Sequence, residues 1–194
     1  MAPGVPELLT KSFDSFLGKT FRINVVQNKN WPKEPLYRNQ RSWVVPRNWF
    51  NRMNDIVRAS VVVKYFDGVK FLTSRLTEEC EKHDLGCHST FQAKDEGHYA
   101  SHIYIAYECE ITSLDWLPER IRTTAEVQIT TQLQDAIRNL LHTHYESRRE
   151  QSSPSNDWKW DHTSNEFATN YLGHILHYLE GMIVEIRERQ RKDS

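Results

Sequence analysis

The stretch that most restricts the fold of this chain is Thr124-Ala125-Glu126-Val127-Gln128-Ile129-Thr130-Thr131-Gln132-Leu133-Gln134, where one periodicity hands over to another without a loop. Ala125, Val127 and Ile129 alternate with Glu126, Gln128 and Thr130, the period-two pattern of a half-buried strand. From Gln132 the spacing changes, and Leu133, Ile137, Leu140, Leu141 and Tyr145 fall on one helical face. Such a strand gives the Glu126 carboxylate a rigid support, with Gln128 beside it on the same face. Two readings follow: a carboxylate held for chemistry, or the solvated face of a sheet.

The rest of the chain sets bounds on both. At 194 residues it has length for one domain with a real core. A net charge of −1 argues against a strongly basic nucleic-acid binder while leaving room for a local basic patch. Cys80, Cys87 and Cys109 lack metal-ligand spacing, which suits a reduced, cytoplasmic protein. No apolar run approaches the ~18 residues of a membrane span. Met1-Ala2-Pro3-Gly4 has no basic, then apolar, signal-peptide pattern.

Taken in order, residues 6–17 carry Leu8, Leu9, Phe13, Phe16 and Leu17 at helical spacing, a short amphipathic helix ended by Gly18. Pro32 and Pro35 forbid regular helix within 19–42. Arg22, Lys29, Trp31, Lys33, Tyr37, Arg38 and Arg41 make that stretch either a phosphate- and base-holding loop or a surface loop with its rings tucked inward. Pro46–Met53 reads as a short helix with Pro near its start. Asn54–Val63 rises into a strand whose Val61-Val62-Val63 run is apolar on both faces, as in the middle of a sheet. Asp55 stands at its start, where a cap or turn residue would stand. Asp67 as N-cap and Gly86 past the end bound a helix from about Gly68 to Lys82, with Val69, Leu72, Leu76 and Cys80 inward. A strand over 87–93 near a sheet edge, a polar turn at Lys94–Gly97 and a strand over 103–108 follow. Residues 111–122, including Leu114, read as a connection into the Glu126 strand. The helix after Thr131 ends near Arg148-Arg149, and 150–165 is a polar loop with Trp158 and Trp160. From Asn165 a long helix carries the stripe Ala168, Leu172, Ile175, Leu179, Met182 and Ile186, to pack on the domain or pair with another copy. On its flank His174, His177 and Glu180 could bind zinc, though no fourth ligand is evident, or form interhelical hydrogen bonds. His142 and His144 lie two apart on a helix and point away from each other.

Glu126-Val127-Gln128-Ile129-Thr130-Thr131 resembles the E-[IV]-Q-I-R-T motif of the RelA/SpoT synthetase family, the (p)ppGpp-making pyrophosphokinases, with Thr130 in place of the motif's arginine. Gly97-His98-Tyr99-Ala100-Ser101-His102 is similar to the family's G-Y-x-S-x-H segment, with His98 at the tyrosine position and Tyr99 one residue later. Asp55 and the strand it opens resemble the family's D-x-x-x-x-[RV] strand, whose aspartate binds Mg²⁺, and Arg58 would then be a phosphate or ATP-ribose contact. The resemblance covers roughly residues 40–150. It implies an α+β fold with a mixed, mostly antiparallel sheet flanked by helices, nucleotidyltransferase-like, and a long C-terminal helix. One domain would span 1–194: an N-terminal helix and basic loop over 1–42, a catalytic core over 43–149, and a loop and C-terminal helix over 150–194.

The same resemblance implies transfer of the β,γ-pyrophosphate of ATP to a ribose 3′-hydroxyl. Asp55 and Glu126 would hold Mg²⁺, Glu126 would accept the hydroxyl proton, and Gln128 would orient the acceptor. Arg41, Arg47, Arg52 and Arg58 are candidate ATP contacts; His98 or Tyr99 would stack on a guanine base and His102 would meet the acceptor's phosphates. GDP or GTP is the first acceptor expected, and the tRNA 3′ end, as in toxins of this family, is the second. For the latter, Arg148-Arg149 and Arg187 to Lys192 offer basic ends. An antitoxin and a homo-oligomer are further partner expectations. A module that binds nucleotide or a partner without turnover is the reading from another class. Asp161-His162 reverses the hydrolase His-Asp order, and the chain has no room for that domain, so alarmone hydrolysis is not expected.

Overall fold

The computed structural model describes residues 6–37, 40–112, 115–139 and 156–193. Leu140, Leu141, His142, His144, Tyr145, Arg148, Arg149, Arg38 and Leu114 lie outside the described residues. The strands are β1 (Leu8–Thr10), β2 (Leu36–Tyr37), β3 (Gln40–Arg41), β4 (Val57–Val63), β5 (Gly86–Ala93), β6 (Tyr99–Thr112) and β7 (Pro118–Thr131). The helices are α1 (Phe13–Phe21), α2 (Trp49–Arg52), α3 (Phe66–Lys82), α4, described over 132–139, and α5 (Asn165–Lys192). Five strands form one sheet in the order β1-β4-β7-β6-β5, and β2 pairs with β3 apart from it. The class is α+β, as the sequence implies.

The expected handover from strand to helix is present, and Thr131 explains it. It is the last residue of β7, and its Oγ1 accepts the Gln134 N–H at 3.3 Å, so the strand end doubles as the helix cap. No loop is needed because one side chain serves both elements.

Chain contacts gather into two compact units. The first takes the chain up to Ala59, Cys80–His88 and Tyr104–Val127. Its apolar cluster is Phe16, Val44 and Met53, joined by Ile23, Trp49 and Ile56. Phe16 meets Trp49 edge to face at 4.3 Å. Asn24 exchanges two hydrogen bonds with the backbone of Val44, at 2.8 and 2.9 Å, which ties down a segment that has no ladder of its own. The second unit takes Ser60–Glu79, Ser89–Ile103 and the chain from Gln128. Val69, Ala100, Ile103, Ile129, Ile137 and Val184 are its buried apolar residues. Among them the Thr73 hydroxyl donates to the Val69 carbonyl at 2.7 Å and accepts from Ser101 Oγ at 2.9 Å.

Several boundaries differ from those expected. The N-terminal segment does not open as a helix. Leu8–Thr10 forms an edge strand antiparallel to β4, with Leu9 opposite Arg58, and only then does Ser12 cap α1. Gly18 does not end α1, which runs on to Phe21 and a π turn over Arg22–Val26. Asp67 lies in the first turn of α3 rather than before it, and its carboxylate pairs with Arg187. Past α3 it is Asp84, at φ 53°, that takes the left-handed position, and Gly86 already belongs to β5. The span 111–122 is largely strand, because β6 continues to Thr112 and β7 starts at Pro118.

The largest difference concerns α5. Of the two fates expected for the apolar stripe, packing on the domain and pairing with another copy, the first is not found: it is exposed, with Ile175 at 53 % and Ile186 at 54 %. The buried face is Asn170, Gly173, Glu180 and Val184. Gly173 selects that face. A Cβ there would run into the carbonyl of Gly97, and one on Gly97, at φ 74°, would meet the carbonyl oxygen of Asn170. Backbone thus approaches backbone where only glycine fits. Gly173→Ala should therefore cost about 1–3 kcal/mol of stability, the range for a methyl forced into filled space. Urea denaturation checks this, and an unchanged midpoint would show that the two backbones do not touch.

Candidate active site

Asp55 sits two residues before β4, at the end where β1 adds to the sheet. The ladder continues one bond past β1, as the Lys11 N–H donates to the Ile56 carbonyl at 2.9 Å. That bond sets the Lys11 side chain beside Asp55. Lys11 Nζ reaches Asp55 Oδ2 at 2.8 Å, and Lys19 Nζ, from α1, reaches Oδ1 at 2.6 Å. Burial alone would raise the Asp55 carboxyl, but the two ammonium groups outweigh it and hold the carboxyl below its usual range. Of the four candidate arginines, Arg41, Arg47 and Arg58 are exposed, on β3, in the turn before α2 and on β4. Arg52 is buried, and its guanidinium donates to Ser42 Oγ.

Glu126, Gln128 and Thr130 share one face of β7, and that face is not solvated: they are 8 %, 8 % and 1 % exposed. The alternation is real, but here the polar face is covered. Covered polar groups need partners. Gln128 Nε2 lies 3.4 Å from His98 Nε2. An amide nitrogen only donates, so the ring nitrogen accepts and carries no proton. Thr130 Oγ1 donates to the Tyr99 carbonyl at 3.1 Å. The residue standing where the resembled motif has arginine is thus a short hydroxyl engaged with the start of β6.

His98 has a cationic setting. Burial lowers its pKa to about 4, with further lowering from the positive fields of Lys94, His102 and Arg138. The ring is therefore neutral at pH 7, with charges around it suited to an anionic ligand. His102 is buried on β6. Arg138, on α4, is held by Asp135 of the same helix.

Tyr99 is placed differently from His98. Its hydroxyl lies 2.7 Å from His174 Nδ1, and its ring stacks on His177 at 3.7 Å, almost parallel. Among the described residues, no three His, Cys, Asp or Glu side chains are grouped as a metal would need. His174 and His177 serve Tyr99 instead, across to β6 rather than to another helix. Glu180, fully buried, has its carboxyl pushed up by burial, with only partial offset from the Thr131 hydroxyl.

The magnesium that the resemblance implies asks for ionised oxygen donors, and takes one or two carboxylates with phosphate oxygens beside them. Asp55 is such a donor, ionised, with Lys11 on one oxygen and Lys19 on the other. Its donor chemistry fits, and a metal ion would take the place of those ammonium groups. Sequence reasoning missed Lys11, Lys19, Lys94 and Arg138 as members of these clusters. Lys11 and Lys19 lie 44 and 36 residues from Asp55 in the chain, and no local pattern connects them.

No family model matches the chain, and no curated protein matches it in sequence. Its fold matches solved structures. A GTP pyrophosphokinase family protein from Streptococcus pneumoniae aligns over 98 % of this chain and 78 % of its own, at 15 % identity and a TM-score of 0.64. Small alarmone synthetase 1 from Bacillus subtilis aligns over 97 % of this chain and 81 % of its own, at 12 % identity and a TM-score of 0.64. The structure of that synthetase bound to its product pppGpp aligns over 97 % and 80 %, at 14 % identity and a TM-score of 0.63. The fold of this chain is that of the small alarmone synthetases.

The His98 pKa gives a direct check. A histidine whose folded pKa lies below its ordinary 6.5 leaves the unfolded chain binding the proton first. Its contribution to stability is complete above about pH 6.5 and is lost as pH falls toward 4. Followed by NMR, the His98 ring should stay neutral through pH 5.5; titration near 6.5 would place it in open solvent.

Proposed function

We propose that the chain is a pyrophosphokinase that moves the β,γ-pyrophosphate of ATP to the 3′-hydroxyl of a guanine nucleotide. The observation that carries this reading is the covered polar face of β7, where Glu126 and Gln128 are buried in succession on one rigid strand and His98 stands against Gln128. A solvated sheet face would need none of that. The shared fold supports the same activity, as does the complex of small alarmone synthetase 1 from Bacillus subtilis, a protein of similar fold, with its product pppGpp.

In this reading the acceptor hydroxyl attacks the β-phosphorus of ATP, an O–P bond forms there, and the bond to the oxygen bridging the α- and β-phosphates breaks, releasing AMP. Glu126, held rigid and shielded from water, takes the hydroxyl proton. Gln128 and the neutral ring of His98 receive the acceptor, the ring by stacking on the base. Lys94, His102 and Arg138 favour its phosphates. Lys11 and Lys19, with the exposed Arg41, Arg47 and Arg58, steady the triphosphate charge, since phosphoryl-type transfer depends mostly on positioning and neutralisation. Asp55 and Glu126 would hold Mg²⁺, which when bound neutralises triphosphate oxygens and polarises the transferred group. Arg52, buried and donating to Ser42 Oγ, is the fourth candidate contact.

The test is transfer of label from γ-³²P-ATP with Mg²⁺, offering GDP, GTP and deacylated tRNA in parallel. Label is expected on the guanine nucleotide. Glu126→Gln should lower that transfer by about 10²–10⁴-fold, the worth of a positioned proton acceptor, with donor-analogue affinity little changed. Label moving only to tRNA would assign the other acceptor, and an active Glu126→Gln would remove the role given to the carboxylate.

A further inference from the structure

His98 immediately precedes Tyr99, the first residue of β6, and the two rings have different partners: His98 lies against Gln128, Tyr99 against His174 and His177. Fixing Tyr99 therefore fixes the backbone from which His98 is presented. Tyr99 is fixed at every polar group it owns. Its N–H donates to Gln134 Oε1 at 3.4 Å, its carbonyl accepts from Thr130 Oγ1 at 3.1 Å, and its hydroxyl meets His174 Nδ1 at 2.7 Å.

Each of these partners is itself held. His174 Nε2 lies 2.9 Å from the carbonyl oxygen of Asp95. A carbonyl only accepts, so Nε2 carries the proton, Nδ1 is bare, and the Tyr99 hydroxyl donates to it. One tautomer satisfies both contacts. Gln134 uses its other end to donate from Nε2 to the Gly173 carbonyl at 3.0 Å. Its amide thus ties the start of β6 to α5 from inside α4. The close approach of Gly97 to Gly173 brings the turn before His98 onto the same helix.

We infer that Tyr99, His174 and Gln134 form a positioning assembly that holds His98 toward Gln128. The inference deepens the reading above and rests on it for the acceptor role of His98. Two consequences follow. His98, rather than Tyr99, is the ring offered to the acceptor base, because Tyr99 has one face stacked on His177 and its hydroxyl engaged with His174. And the three-residue spacing of His174 and His177 serves a tyrosine rather than a metal. A slip of one residue in β6 would exchange the two rings, so the register itself depends on these bonds.

The experiment pairs two readouts on Tyr99→Phe, His174→Ala and His174→Gln, each first shown to unfold cooperatively. One is the His98 ring signal and its titration in nucleotide-free protein, by NMR. The other is KM and kcat with GDP as acceptor. Tyr99→Phe and His174→Ala should move the His98 signals, shift its titration toward the ordinary histidine value, and raise acceptor KM about tenfold with kcat changed far less. His174→Gln should restore most of both effects, since an amide can accept from the tyrosine and donate to the Asp95 carbonyl as the imidazole does. Unmoved His98 signals in folded variants would overturn the inference, whatever the kinetics. If the wild-type protein transfers nothing to GDP while the His98 signals move as expected, the positioning assembly stands and the acceptor reading falls.

Discussion

A polar group removed from water must find a partner, and β7 carries three in succession on one covered face. That constraint organises much of this protein. Among the described residues, the Thr130 hydroxyl is satisfied by the Tyr99 carbonyl at the start of β6, and the Gln128 amide by the bare nitrogen that His98 presents. Thr131, next in line, caps the helix that supplies Gln134, and Gln134 in turn satisfies Tyr99 and Gly173. An apolar face would have packed with less specificity. Hydrogen bonds have direction, so this one admits few alternative arrangements of β6, α4 and α5.

The elements with strong periodicity were legible in the sequence. The alternation from Ala125 to Thr130, the change of period after Thr131 and the spacing of α3 all describe local backbone, and local backbone is what periodicity reports. The failures share a cause: each depended on a partner distant in the chain. Leu8–Thr10 looks helical until β4 is there to pair with it. The stripe from Leu172 to Ile186 has the spacing of a packing face, yet periodicity says only that a face exists. It does not say that Gly97 will come close enough to exclude any side chain at 173. The pairing of Lys11 and Lys19 with Asp55 is of the same kind. Positions of chemical interest were visible through resemblance; their partners were not.

The electrostatics of the Asp55 and His98 clusters differ in kind. Around Asp55, cations and carboxylate contact one another directly, so positive charge is held in place before any phosphate arrives. Preorganised charge costs no reorganisation at the moment of reaction, which is what transfer of a highly charged group demands. Around His98 the cations act through their field, and their effect is to keep the ring neutral.

That neutrality bears on what the ring can do. A charged imidazolium beside Lys94 and Arg138 would add repulsion to a region already positive, and would need a counter-ion from the ligand before it could bind anything. A neutral ring leaves the surrounding charge free for the ligand's phosphates and offers a flat, uncharged face to its base. Tyrosine would provide such a face without any adjustment of pKa. Here the tyrosine is one residue later and spent on the scaffold, so the histidine can take that role only if burial and its neighbours hold it unprotonated. The displacement of one aromatic residue along β6 therefore carries with it the cationic setting of His98, the bare nitrogen facing Gln128 and the tautomer of His174: the first two keep the ring available to a base, and the third holds the tyrosine that would otherwise compete for that place.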